Sequence, residues 1–321
     1  MSQITFTYSQ LSAQSVSFLL SDVYDIGEIR RCVYYVLGLH DNYLVETPNG
    51  KFILRIYRNE WRSPDEINFE LRLLNFLHQQ QAPVSSPILT LERKLCFELD
   101  APEGKRLAVL FPYAKGESPG NNITLRQSEL LGRTVATTHR LSDSFEYKGK
   151  NKNLDISHLL DDSISAIEPF LVSRDIKFLT SLKDSIKNAL PNLPKHDEIY
   201  GPCLGDVNLT NFHIDAENIT LFDFDQCGYA FRAFELAKFK SSLYSIQNKE
   251  DLFRSFLHGY QEIRLLDKDE LKSIPYYEII ALIWVMAIHA INANRIGYKM
   301  LEKPFWRRRL TIVEALAKEL D

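Results

Sequence analysis

The first third of the chain alternates apolar and polar positions, which is typical of half-buried β-strands. Runs of strand-forming residues lie at 31–37, 43–46, 52–57, 95–99 and 106–111. Turn-forming residues separate the first three runs, at 38–42 and 48–50. Because short turns of this kind join antiparallel neighbours, this part of the chain is predicted to form a small antiparallel sheet.

One helix is predicted between the third and fourth strands. Ser63 is a suitable N-cap, Pro64 suits the first helical position, and Glu66 completes a capping box. Apolar residues follow at helical spacing, namely Ile67, Leu71, Leu74 and Leu77. Glu70 lies within this apolar stripe. A buried carboxylate without a partner is costly, so we expect a cationic side chain beside it.

Helical periodicity dominates from about residue 125 onward. The periodic segments lie at 130–141, 159–171, 175–190, 231–244, 252–263 and 277–296. A strand-like stretch interrupts them at 201–225. The pattern predicts an α+β protein with a small β-rich lobe carrying one helix at 1–113, a connector at 114–118, and a large helical lobe at 119–321.

Composition and charge exclude several classes of partner. Apolar residues make up 45% of the 321 positions and the net charge is −4, so neither a nucleic acid nor a membrane is expected as a partner. The longest apolar run, at 279–288, is too short to cross a bilayer and is predicted to be a buried helix. The four cysteines form no C-x-x-C pair and no signal peptide is visible, so we expect a cytoplasmic protein.

The stretch at 201–225 carries the candidate chemistry. Asp206 and Asn211 stand five residues apart in a loop, and a turn at 215–218 precedes a strand that ends at Asp223. The turn folds the second strand back, so these three side chains are predicted to converge at one end of a hairpin. Taken singly, Asp and Asn are common in turns for local hydrogen-bonding reasons. Together they form the set that phosphoryl transfer needs, which is one base and two hard oxygen ligands that favour Mg²⁺.

Three sequence blocks together resemble the signature of a known enzyme superfamily. They are Leu204-Gly205-Asp206 with Asn211, the run Leu221-Phe222-Asp223-Phe224-Asp225, and the run Arg232-Ala233-Phe234-Glu235-Leu236-Ala237. In this spacing the chain resembles the aminoglycoside phosphotransferase and choline kinase-like superfamily. The resemblance implies a bilobal protein-kinase-like fold that binds ATP in the cleft between its lobes.

The resemblance also implies a role for each candidate residue. Asp206 would be the catalytic base, Asn211 and Asp223 would be metal ligands, and Asp225 would assist them. Arg55 would contact the nucleotide phosphates and pair with Glu70, although a purely structural ion pair is the alternative. The run Leu110-Phe111-Pro112-Tyr113-Ala114 resembles the kinase hinge, where the carbonyl group of Pro112 and the N–H group of Ala114 would meet the adenine edge.

Departures from the signature bear on nucleotide choice and on activity. Leu204 replaces a histidine, Arg55 replaces a lysine, and Glu235 replaces an aspartate that braces the catalytic loop in relatives. Arginine keeps the charge of lysine but differs in shape, so GTP remains open beside ATP.

The sequence therefore predicts a Mg²⁺-dependent phosphotransferase whose acceptor is a hydroxyl group of a small molecule. An aminoglycoside, an amino alcohol, a sugar and a homoserine-like amino acid all remain open as acceptors. The alternatives are a bacterial protein Ser/Thr kinase of the stress-kinase type and a nucleotide-binding pseudokinase. No activation segment separates Asp225 from Arg232, which argues against the protein kinase. Nothing in the pattern indicates an oligomeric state.

Overall fold

A five-stranded antiparallel sheet forms the centre of the first of two units in a computed structural model of the chain, which describes residues 5–150 and 152–320. Unit 1 comprises residues 5–116, 146–150 and Thr220–Phe222. Its strands are β1 (Arg31–Leu37), β2 (Asp41–Thr47), β3 (Gly50–Ile56), β4 (Phe97–Ala101) and β5 (Gly104–Pro112). They are ordered β1-β2-β3-β5-β4, and each neighbouring pair is antiparallel.

The predicted helix is present as α2 (Pro64–Gln79). Its capping box forms as expected, because Ser63 Oγ accepts a hydrogen bond from the backbone N–H of Glu66 at 3.2 Å and the Glu66 carboxylate accepts one from the backbone N–H of Ser63 at 2.8 Å. The apolar stripe of the helix is buried. Both signals are local in sequence, so the start and the buried face of this helix could be predicted.

Unit 1 has one helix more than the sequence analysis anticipated. Helix α1 (Ala13–Val23) is capped by Ser12, whose hydroxyl accepts from the backbone N–H of Ser15 at 3.1 Å. Val16 and Leu20 are its buried residues, whereas Phe18 is 67% exposed. A stripe of two residues, with an exposed aromatic residue between them, gives a periodicity too weak to indicate a helix.

The start of β2 differs from the prediction of a turn at 38–42. Asp41 and Asn42 were predicted to lie in a turn, but both belong to the strand. Asp41 is fully buried, and its Oδ2 accepts from Arg106 Nη2 at 2.7 Å; the Arg106 side chain is also fully buried. The turn propensity of Asp and Asn is outweighed here, because an arginine distant in sequence satisfies the buried carboxylate.

The buried Arg106–Asp41 pair gives a prediction about stability. Arg106→Leu should lower the free energy of unfolding by about 3–5 kcal/mol, because it leaves the Asp41 carboxylate buried without its cation. Lys105→Met is the matched control, since the neighbouring Lys105 forms an exposed ion pair with Glu98 and should leave stability almost unchanged. Urea unfolding of the full chain measures both, and equal stabilities of the two variants would contradict the prediction.

Unit 2 is mainly helical and comprises the remaining described residues from Glu117 onward. Its helices are α3 (Leu125–Ser142), α4 (Ser163–Ile167), α5 (Ser173–Ala189), α6 (Arg232–Ser242), α7 (Lys249–Gln261), α8 (Lys268–Ile291), α9 (Ala293–Ile296) and α10 (Lys303–Ala317). A π-helical turn at Ser157–Asp162 precedes α4. Strands β6 (Tyr200–Cys203) and β9 (Gly228–Phe231) form an antiparallel pair. Strand β7 (Phe212–Asp215) pairs with β8 (Asn218–Leu221), whose last two residues are the ones already assigned to unit 1. The predicted α+β class is confirmed.

Helix α8 is the apolar helix predicted around 279–288, and it is longer than the apolar run. A capping box at Asp267 begins it well before that run, so the helix has 24 residues. By length and composition it could span a membrane, with a mean hydropathy of 1.7 in its most apolar window. Of that window 61% is buried within the protein, and the helix packs against α6 and α10. It has the burial of a core helix.

Candidate active site

The loop between β6 and β7 carries Asp206 and Asn211. Gly205 is the second residue of this loop and has a φ of +81°, and a Cβ atom at this position would lie 2.2 Å from the carbonyl oxygen of Gln226. Only glycine accepts both this backbone conformation and this approach. The glycine therefore lets the loop lie directly against the segment that follows β8.

A direct contact joins Asp206 and Asn211. The Asn211 Nδ2 group donates to the backbone oxygen of Asp206 at 2.9 Å and to Asp206 Oδ2 at 3.0 Å. Because both partners are acceptors, the nitrogen of the amide must face Asp206 and the Oδ1 atom must face away. Thr210 Oγ1 lies 3.3 Å from that Oδ1 atom. Asn211 thus holds Asp206 with one end of its amide and presents a hard oxygen with the other.

Asp223 and Asp225 follow the second strand of the β7–β8 hairpin. A two-residue turn at 216–217 joins the strands, which requires them to be antiparallel. Asn211 directly precedes β7 and Asp223 lies just after β8, so the two residues belong to the same end of the hairpin. Asp223 has a φ of +64°, a left-handed conformation that aspartate tolerates better than most residues. Asp225 is mostly buried, and its Oδ2 accepts from Gln226 Nε2 at 3.3 Å.

Helix α6 braces the loop through Glu235. One carboxylate oxygen of Glu235 accepts from the backbone N–H of Leu204 at 2.8 Å, and the other accepts from the backbone N–H of Gly205 at 2.7 Å. The side chain is longer than the aspartate of the superfamily signature, yet it reaches the loop. His139 Nε2 lies 2.8 Å from Glu235 Oε2, and His139 Nδ1 lies 2.9 Å from the hydroxyl group of Tyr260. Buried polar groups, those of His139 and Tyr260, therefore hold the Glu235 side chain in place.

Burial determines the protonation of this brace. It lowers the pKa of His139 well below its usual range, and the charges of Arg232 and Arg264 act in the same direction. His139 is therefore neutral, with one ring N–H group. Burial also raises the pKa of Glu235 from its ordinary 4.5 to about 7, against the opposing effect of the two backbone N–H groups.

The raised pKa of Glu235 gives a pH-dependent prediction for Glu235→Gln. Between pH 4.5 and 7 the folded chain binds more protons at Glu235 than the unfolded chain does, so the contribution of this group to stability falls as the pH rises. Glutamine does not titrate. The variant should be less stable than the parent chain, because one carboxylate oxygen that accepts from the loop is lost, and the difference should be larger at pH 5 than at pH 8. Urea unfolding at the two pH values measures it, and a difference that grows toward pH 8 would refute the assignment.

Lys238 contacts the candidate residue Asp206, and the sequence analysis did not anticipate it. Its Nζ atom lies 2.6 Å from Asp206 Oδ1, and its side chain is 4% exposed, compared with 27% for Asp206. Lys238 follows Glu235 by three residues on α6, so the two side chains share one face of the helix. This spacing could have indicated Lys238 from the sequence, because a residue one helical turn after the bracing acid is directed toward the same loop.

Unit 1 carries the residues expected to contact the nucleotide. Arg55 Nη1 lies 3.3 Å from Glu70 Oε1, and both side chains are buried. The hydroxyl group of Tyr57 donates to the second oxygen of Glu70 at 2.8 Å. The cationic partner that the position of Glu70 demanded is therefore Arg55.

The predicted hinge residues lie at the end of β5. Pro112 is the last residue of the strand, and its carbonyl oxygen accepts from Ser85 Oγ at 2.8 Å. A carbonyl oxygen has two lone pairs, so this bond leaves one for another donor. Ala114 follows two residues later and is mostly buried.

Comparison with known proteins by sequence gives one family and several relatives. The sequence profile of a family described as "Phosphotransferase enzyme family" matches residues 38–272, which is more than two thirds of the chain. An uncharacterised protein of Synechocystis sp. is 37% identical over 312 residues, covering 96% of this chain and 86% of the relative. The amicoumacin kinase of Bacillus subtilis is 27% identical over 278 residues, covering 80% of each chain.

Comparison by structure gives the fold. An amicoumacin kinase, hAmiN, in complex with AMP-PNP, Ca²⁺ and Ami superposes with a TM-score of 0.79 at 18% identity, covering 96% of this chain and 94% of that one. A microcompartment-associated aminopropanol kinase superposes with a TM-score of 0.77 at 20% identity, covering 95% of each chain. The predicted kinase-like fold, with its small antiparallel sheet lobe and its larger helical lobe, is confirmed by these likenesses.

Proposed function

Because the chain belongs to the phosphotransferase enzyme family, we propose that it transfers the γ-phosphoryl group of ATP, with Mg²⁺, to a hydroxyl group of a small molecule. The family match confirms the resemblance inferred from the three sequence blocks and places the chain among small-molecule phosphotransferases. The observation that carries the proposal further is the contact between Asp206 and Asn211, where Nδ2 of the amide lies 3.0 Å from a carboxylate oxygen of the aspartate.

Asp206 is the proposed base. Its carboxylate accepts the proton of the acceptor hydroxyl as the oxygen of that hydroxyl forms its bond to the γ-phosphorus. The bond between the γ-phosphorus and the β–γ bridging oxygen breaks in the same step, so the electron pair leaves with ADP. No covalent intermediate with the protein is involved. Asp206 is partly exposed, which suits a group that meets an incoming substrate.

Asn211 and Asp223 are the proposed metal ligands. The Oδ1 atom of Asn211 faces away from Asp206, because Nδ2 is bound to that residue. Asp223 belongs to the same end of the hairpin, and Asp225 follows it as an assisting carboxylate. Amide and carboxylate oxygens are hard donors that suit Mg²⁺. Bound there, Mg²⁺ would offset the charge on the phosphate oxygens.

The nucleotide contacts are proposed for residues of unit 1. Arg55 would contact the phosphates, with Glu70 and Tyr57 holding the guanidinium and its partner in place. The free lone pair of the Pro112 carbonyl and the N–H group of Ala114 would supply one acceptor and one donor to the adenine edge. The guanidinium in place of an ammonium group keeps GTP as an alternative nucleotide.

The proposed acceptor is a small molecule with a hydroxyl group, and the names of similar kinases indicate which classes to test. Kinases and phosphotransferases to which this chain is similar are named for amicoumacin, homoserine, aminopropanol and spectinomycin. Aminopropanol is an amino alcohol, and homoserine carries an amino group and a hydroxyl group. Amino alcohols, homoserine-like amino acids, aminoglycosides and sugars are therefore all candidate acceptors.

An acceptor screen with Mg-ATP, measured by ADP release, tests the proposed function. We expect ADP release that depends on one class of hydroxyl compound and that falls by about 10²–10⁴-fold in Asp206→Asn, the range for removal of an acid–base group. Unchanged turnover in this variant would refute the assignment of the base. Phosphate transferred to Ser or Thr of added proteins would instead indicate a protein kinase, and ATP binding without turnover on any acceptor would indicate a pseudokinase.

Metal dependence gives a second prediction. Chelation of divalent ions should abolish turnover, and Asp223→Asn should raise the Mg²⁺ concentration for half-maximal activity by at least about tenfold, since even the partners of metal ligands alter metal affinity by ~10–100-fold. Asp215→Asn is the matched control, because Asp215 is an exposed acid in the same hairpin. An equal Mg²⁺ requirement in both variants would exclude Asp223 as a ligand.

A further inference from the structure

A buried ammonium group, that of Lys238, lies directly against the proposed base. Its Nζ atom is 2.6 Å from Asp206 Oδ1, and the lysine side chain is almost fully buried while the aspartate is partly exposed. Asp206 therefore contacts a buried ammonium group while about a quarter of its own side chain, 27%, stays exposed. An ammonium group is costly to bury without a partner, so this pairing fixes the two side chains relative to each other.

We propose that Lys238 is a positioning residue for phosphoryl transfer, whose ammonium group fixes the carboxylate of Asp206 in the orientation that receives the acceptor hydroxyl. This inference rests on the proposed function, because Lys238 acts through Asp206 only if Asp206 is the base. The chemistry of the step is unchanged: Lys238 keeps its proton, and the proton of the hydroxyl goes to Asp206.

The carboxylate needs such support because its terminal torsion is soft. Rotation about the bond between Cβ and Cγ of aspartate has broad minima. Lys238 binds Oδ1 and Asn211 Nδ2 binds Oδ2, so contacts at both oxygens define the plane of the carboxylate. Each oxygen still has a lone pair for the hydroxyl. Orientation matters here because a misplacement of about 1 Å at a reacting centre can reduce the rate by about 10²-fold.

Helix α6 supplies both supports of the loop. Glu235 accepts hydrogen bonds from the loop backbone at 204–205, and Lys238, three residues further on the same face, binds the side chain of Asp206. One rigid element thus sets the path of the loop and the orientation of the proposed base. Fixing both from a helix is more accurate than fixing them from a second loop.

A direct contact between Lys238 and a phosphate group is the rival role. It requires the ammonium group to leave Asp206 and reach the solvent side of the site. The burial of the lysine behind the aspartate opposes this, since 4% of its side chain is exposed. The rival also predicts different kinetics, because a phosphate contact would act whether or not residue 206 is a base.

Kinetics of Lys238→Met in the full chain, measured with Mg-ATP and the acceptor found in the screen, test the inference. We expect kcat to fall by about 10²-fold, with KM for ATP changed by less than about twofold, because ground-state binding of the nucleotide is not involved. Lys238→Arg should recover part of kcat, since it keeps the charge. If Lys238→Met does not fold, Lys238→Gln gives the same comparison.

Lys240→Met is the matched control. Lys240 lies on the same helix, and its Nζ atom is 2.9 Å from Glu278 Oε2, so the variant also breaks a largely buried lysine–carboxylate pair. It should lower the thermal unfolding temperature while kcat stays within about twofold of the parent chain. An equal loss of kcat in Lys240→Met and Lys238→Met would mean that both act only through stability, and the inference would be wrong.

A double variant separates positioning from direct contact. In the Asp206→Asn background, adding Lys238→Met should lower kcat no further, because a residue that acts through Asp206 has nothing left to position. A full additional loss would assign Lys238 to the phosphates and overturn the inference. If the parent chain releases no ADP with any acceptor, the proposed function fails. If Asp206→Asn alone keeps full turnover, Asp206 is not the base and the inference fails with that assignment. If Asp206→Asn is slow while Lys238→Met is as fast as the parent chain, only the role of Lys238 fails.

Discussion

The hydrogen bonds from the loop after β6 to Glu235 on helix α6 are the interaction on which the candidate site depends. The backbone N–H groups at 204–205 lie in a buried region, and buried N–H groups require acceptors. One carboxylate, that of Glu235, satisfies both of them and is itself contacted by a neutral histidine. Without these bonds the backbone that leads into Asp206 would lose its anchor to α6, and Gly205 before it is the most flexible residue in the loop.

Buried charges recur in both units, each with a specific partner. In unit 1, Arg106 satisfies Asp41 at the start of β2, and Arg55 satisfies Glu70 from β3. In unit 2, Lys238 lies against Asp206. Replacing such pairs by apolar residues is often neutral for stability. Their presence beside strands and loops that carry candidate site residues therefore fits a role in fixing geometry.

Features that depend on neighbours in sequence could be predicted. The capping box of Ser63 and Glu66 spans three residues, and the spacing of Asp206 and Asn211 spans five. The need of Glu70 for a cation also followed from its place in an apolar stripe. Features that depend on distant partners could not be predicted. The strand at Asp41 exists because Arg106, 65 residues away, is buried with it. Lys238 contacts Asp206 although the whole β7–β8 hairpin separates the two residues in sequence. The roles of the site residues remain predictions from the family signature.

The orientation of the Asn211 amide couples the proposed cation position to the proposed base, Asp206. Its nitrogen binds Asp206 while its oxygen is turned outward. A cation drawn to that oxygen would polarise the amide and strengthen the N–H groups as donors to Asp206. Occupancy of the cation position and rigidity of the aspartate would then rise together, each favouring the other by the same free energy. An aspartate at position 211 would reverse this cooperation, because it would set two negative groups against each other and remove the donor to Asp206 Oδ2.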